Sequence, residues 1–147
     1  MLPPYTELVR FDPAARLTGA ELRAAAADSV RRHLAQAPSD NPFARFGDAL
    51  QAELPQLLDG DAQGYHDYAF ATVRMVGAGF EICALLSHWL LGDEDEQPAA
   101  AFTAIVDDAK LLSFKLARRR AFDPGPIVAR LGTSWDEAMS GLSDALG

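Results

Sequence analysis

From Asp61 to Leu91 the chain runs without a proline and is apolar on nearly every side. Tyr65, Ala69, Phe70, Val73, Val76, Phe80, Cys83, Leu86, Trp89 and Leu90 are spread around the helical wheel rather than along one stripe. A helix without a wet face is buried by neighbours on several sides. The segment therefore predicts one long, largely buried helix, capped by Asp61, at the centre of an all-α bundle. Gly77 and Gly79 lie in its middle. Each costs about 1 kcal/mol against alanine there, so a closely approaching helix or a bend is expected to offset them.

The flanking segments supply the neighbours. Thr18 and Glu21 have the spacing of a capping box, opening a helix over Gly19 to Ala37 with Leu22, Ala26, Val30 and Leu34 on one face. Asn41-Pro42 starts a second helix, with a cap followed by a proline at the first position, where no N–H is needed. Its apolar stripe runs from Phe43 to Leu58, and Pro55 predicts a kink or break inside it. After the long helix, the short acidic connection Gly92–Gln97 makes the next helix an antiparallel neighbour. That helix spans Pro98 to about Arg120, with Phe102, Ile105, Val106, Ala109, Leu112 and Leu116 facing inward. Asp123-Pro124 caps a final helical region, but Gly125, Pro126 and Gly132 weaken its start, so the last helix is placed at Ser134–Leu146. The result is a four- to five-helix bundle over residues 18–147.

Residues 1–17 read differently. Pro3-Pro4 is extended, and Tyr5, Leu8, Val9 and Phe11 are large apolar residues on a short segment. They need a surface to cover: the bundle, a partner, or a second copy. A homodimer through Leu2–Phe11 is one expectation.

Bulk properties exclude several functions. A chain of 147 residues amounts to one domain that buries a core without staples. Its net charge of −8 repels phosphate backbones and anionic lipid, which argues against nucleic acid and membrane as main partners. The longest apolar run, Ile82–Leu91, contains His88 and is about half of what a bilayer requires. Met1–Tyr5 lacks the basic and apolar regions of a signal peptide. The single cysteine fits a reducing cytoplasm.

Two constellations stand out. Asp67, Arg74, Glu81 and His88 recur every seven residues on the long helix, close to one stripe. Asp108 lies across the predicted hairpin from Glu81. One reading is a polar seam in the bundle core that binds a charged ligand through Arg74, Glu81, His88 and Asp108. The simpler reading is a set of structural ion pairs, or the helix's one solvated stripe. Three histidines without a Glu-x-x-His spacing do not make a bundle metal site, and no cofactor is implied. Cys83 and His88 point in different directions, and a thiol amid apolar residues is packing material. The second constellation is Lys115, Arg118, Arg119 and Arg120, a dense basic patch on an acidic chain. It complements the helix dipole, and it also offers a dock for a phosphate or an acidic partner.

Leu2-Pro3-Pro4-Tyr5 with Glu7-Leu8-Val9, then residues 40–46, 65–80 and 109–119, together resemble the C-terminal half of a bacterial family called domain of unknown function 1839. Members of that family are about twice as long. Their N-terminal half resembles the cysteine-dependent acyltransferases of the butirosin H type, which move an aminoacyl group from a carrier protein's phosphopantetheine thioester. The resemblance thus implies a detached half, with catalysis on the other half and no catalytic residue to carry over. It implies an accessory domain that docks an acyl or aminoacyl carrier protein, or an acyltransferase domain, with the basic patch as the contact. A ligand-binding or catalytic bundle and a homo-oligomeric structural protein are the alternatives.

Overall fold

The computed structural model describes residues 16–92 and 95–147. All regular elements among them are helical: α1 (Gly19–Leu34), α2 (Pro42–Asp59), α3 (Ala62–Leu91), α4 (Gln97–Ala117) and α5 (Gly125–Leu146). The segment Leu2–Phe11, and with it the expected dimer contact, lies outside the described residues.

Local chemistry sets most of the helix starts. Asn41 accepts from the amide of Phe43 at 3.0 Å, and Pro42 opens α2. Asp61 accepts from the amide of Gly64 at 2.8 Å at the head of α3. Thr18 makes no side-chain cap bond, so the capping box expected with Glu21 does not form. Pro55 does not break α2 either. It lies on the exposed side with Gln51, whose carbonyl loses its helical donor but remains within reach of water.

The last helix begins at Gly125 rather than at Ser134, which is buried in its middle. Pro126 sits in the first turn, where its missing N–H costs nothing, and Asp123 accepts from the amide of Gly125 at 2.9 Å. Gly132 lies under the Asn41 side chain, which donates to the Gly132 carbonyl at 2.8 Å. The polar cap of α2 is thereby tied to α5.

The packing reverses the expected roles of two helices. The centre is α4, where Ile105, Leu112 and Leu116 are wholly buried. It lies between α3 and α5, α2 packs on α5, and α1 lies across α5 and α3 without burying any residue fully. Of the long helix α3, Tyr65, Val73, Ser87 and Leu90 are buried. Val76, Phe80, Cys83 and Ala84 are half-buried against the core. Phe80 links three helices, with its ring centroid 5.8 Å from both Phe43 of α2 and Phe102 of α4. The opposite face of α3 is open: Met75, Ile82 and Leu85 are 67, 67 and 66% exposed. The long helix is therefore a flank of the bundle with one apolar face inside and one outside. Its all-round apolarity reflects two separate stripes rather than central burial.

Candidate functional site: the α3–α4 groove and the end of α4

Inside α3, residues Phe70–Arg74 form a π-turn. Such a turn holds one residue more than an α-turn and is often found at functional sites. It widens the helix where α3 runs beside α4, and an open groove of about 710 Å³ lies along this junction. Val73, Gly77, Val106 and Ala109 line its floor. Asp67, Arg74 and Glu81 of α3 and Lys110 of α4 line it with charge. Asp67 accepts from Gln63 at 2.7 Å, and Lys110 pairs with Asp107 at 3.4 Å. Gly77 fits the expected helix approach only loosely. A Cβ there would stand 3.6 Å from that of Ala109, an ordinary contact, and one at Gly79 would meet nothing.

The seven-residue stripe is thus divided. Arg74 and Glu81 come together in the groove with Asp67, whereas His88 is not among its lining residues. Asp108 is not in the groove either. Its carboxylate receives the Arg130 guanidinium of α5, with Nε 3.1 Å from both oxygens. Arg74, Glu81 and His88 are all exposed, so the four residues considered for one ligand form no seam in the core, and only Arg74 and Glu81 share a place.

Cys83 faces the other side of α3. It lines an apolar cavity of about 560 Å³ under α1, with Val30, Leu34, Leu90, Phe102 and Leu142. Burial pushes its thiol above the ordinary range, which disfavours the nucleophilic thiolate. Its carbonyl accepts from the Ser87 hydroxyl at 2.8 Å. Among the described residues, no three His, Cys, Asp or Glu side chains gather as a metal site.

The basic patch also divides. Arg119 follows the last turn of α4 with φ +46°, a left-handed conformation usually taken by glycine. Its guanidinium turns inward, lies 5.6 Å over the Tyr65 ring, and donates to the carbonyls of Leu58 and Gly60. The Tyr65 hydroxyl in turn donates to the Leu116 carbonyl at 2.7 Å, and burial raises its pKa, a shift the Arg119 charge opposes. Arg119 thus pins the α2–α3 turn to the end of α4. Lys115, Arg118 and Arg120 are exposed.

Two features escaped the sequence reading. The inward turn of Arg119 has no local signal, because three consecutive arginines look alike. The outer stripe of α3 did have one: Met75, Ala78, Ile82, Leu85 and Trp89 alternate three and four residues apart. By length and composition, α3 is also long and apolar enough to cross a membrane.

The family model described as the DUF1839 C-terminal domain matches residues 19–144. No curated protein and no solved structure matches the chain. The match takes in α1 through nearly all of α5, and so the core, the groove and the basic end together. The chain belongs to the DUF1839 C-terminal domain family.

Proposed function

We propose that this chain is a non-catalytic helical accessory domain that docks an acidic protein partner, an acyl or aminoacyl carrier protein, through the end of α4. The observation that supports it is the exposed cluster Lys115, Arg118 and Arg120 on a chain of net charge −8. Cations concentrated against the prevailing charge steer an acidic surface to one place. Arg119 fixes the turn that carries them. The family resemblance supplies the partner class, since its other half resembles an aminoacyl-transferring enzyme. That enzyme domain is the second candidate partner, and the cytoplasm is the compartment in which such an exchange takes place.

The test is a titration with an aminoacyl carrier protein followed by calorimetry. The triple variant K115A/R118A/R120A, with helical content unchanged by circular dichroism, is expected to bind at least about tenfold more weakly, roughly 1.4 kcal/mol. Added salt is expected to weaken the unsubstituted protein in the same direction. Equal binding by the two proteins contradicts the role of the patch.

A further inference from the structure

The outer face of α3 is a second surface that the docking function leaves unused. Along the α-helical part of α3, Met75, Ala78, Ile82, Leu85 and Trp89 follow one another at steps of three, four, three and four. This is the a/d spacing of a coiled-coil seam, which selects another helix as the covering element. Leu86 adds to one side of it, while Arg74, Glu81 and His88 run along the other as a polar flank. Phe114 of α4, 69% exposed, lines the neighbouring groove.

We infer that this seam is a two-fold interface, in which α3 of a second copy of this chain packs antiparallel against α3. The sequence of the seam is self-complementary in that direction. It is slender at Ala78 and Gly79 and bulky at Ile82, Leu85 and Trp89. Turning a copy end over end about a point between Ile82 and Leu85 sets Ile82 against the second copy's Leu85. The same rotation brings Trp89, 40% exposed with the Arg23 guanidinium of α1 5.5 Å from its ring centroid, to the second copy's Ala78, so the widest side chain meets the narrowest part of the seam. On the flank, Glu81 comes to face the second copy's His88, an acceptor opposite a ring that donates, and the pair occurs twice. A parallel pairing stacks Trp89 on Trp89 and leaves Ala78 facing Ala78. It also sets Glu81 against Leu86, so neither shape nor charge is satisfied. The two-fold contact closes on itself and stops at a dimer.

A bilayer is the competing cover for an apolar helix face. The flank argues against it. Arg74 and Glu81 border the seam along its length, and ionised groups at membrane depth are costly. The overall charge of −8 opposes anionic lipid as well.

Sedimentation of the full chain tests the inference. The expected result is a dimer that becomes a monomer in I82E and in L85E, with unchanged helical content, since both side chains point into solvent in the single chain. L8E and F11E are expected to leave the dimer intact. In a C83S background, mixing A78C with W89C protein under mild oxidation is expected to give a disulfide-linked pair of unlike chains, with little linkage of A78C to itself. A monomer at about 100 µM, a dimer indifferent to I82E and L85E, loss of the dimer in L8E or F11E, or a higher oligomer each overturns the proposal. So does predominant self-linking of A78C. Flotation of a monomer with anionic or zwitterionic vesicles, abolished by I82E, assigns the face to lipid and also overturns it. None of these variants touches Lys115, Arg118 or Arg120, so failure here is separable from failure of carrier docking.

Discussion

Arg119 shows how one side chain can serve the fold from within a patch that looks purely superficial. A non-glycine residue in the left-handed region costs about 1–2 kcal/mol. Here the guanidinium offsets that cost by bonding the Leu58 and Gly60 carbonyls and covering the Tyr65 ring. Charged hydrogen bonds contribute about 1.5–3 kcal/mol each before the cost of ordering the side chain. Arg119→Ala keeps the strained backbone and loses the contacts, so urea unfolding is expected to show a loss of about 1–3 kcal/mol. Arg119→Gly relieves the backbone and is expected to lose about 1 kcal/mol less than the alanine variant. Equal losses would mean that backbone strain plays no part. The neighbours Arg118 and Arg120 have the same chemistry and stay exposed. Sequence alone does not separate them, because the distinction comes from where the α4 turn happens to point.

At the scale of elements, what was legible depended on whether the deciding interaction was local. The Asn41-Pro42 and Asp61 starts were readable because the cap and the capped amide lie within three residues of each other. The start of the last helix carries local signals, Asp123 before Gly125 and Pro126 in the first turn, but the glycines of the segment outweighed them. The long-range bond from Asn41 to the Gly132 carbonyl was not readable. Glycines show the same division. A Cβ at Gly47 of α2 would stand 2.6 Å from the Val128 side chain of α5, where the two helices press together. Gly47→Ala is expected to cost about 1–3 kcal/mol by overpacking. At Gly79 a Cβ meets nothing. Gly79→Ala is therefore expected to stabilise the single chain by about 0.5–1 kcal/mol, the ordinary helix-interior difference. Thermal unfolding of the two variants checks both signs. The π-turn at Phe70–Arg74 was hidden as well.

For the whole molecule, helical class and the α3–α4 hairpin followed from periodicity and a short connection, while the position of α3 did not. Apolar residues all round a helix fit two arrangements: burial in the middle, or an inner stripe on the core and an outer stripe on something else. Periodicity counts apolar residues and does not say which neighbour covers them. The inward stripe of α4 was readable, but not that α3 and α5 pack on it from two sides and make it the centre. The candidate site shows the same limit. Arg74 and Glu81 were expected in the core and stand exposed along a groove, whereas Asp108 was claimed by Arg130, a residue of a helix whose extent the sequence had understated. This arrangement leaves an acidic bundle with two outward surfaces of opposite character, a cationic tip on α4 and an apolar stripe on α3.

The claim on which both surfaces rest is that α4, not α3, is the core of the chain. Urea unfolding of Leu112→Ala and Ile82→Ala tests it directly. It is measured at sub-micromolar protein so that mass action removes any contribution from a second copy. Leu112 is wholly buried on α4, and its truncation is expected to cost about 2–5 kcal/mol. Ile82 is 67% exposed on α3, and its truncation is expected to change stability by less than about 0.5 kcal/mol. A loss at Ile82 as large as that at Leu112 would contradict the account and return the long helix to the centre of the bundle.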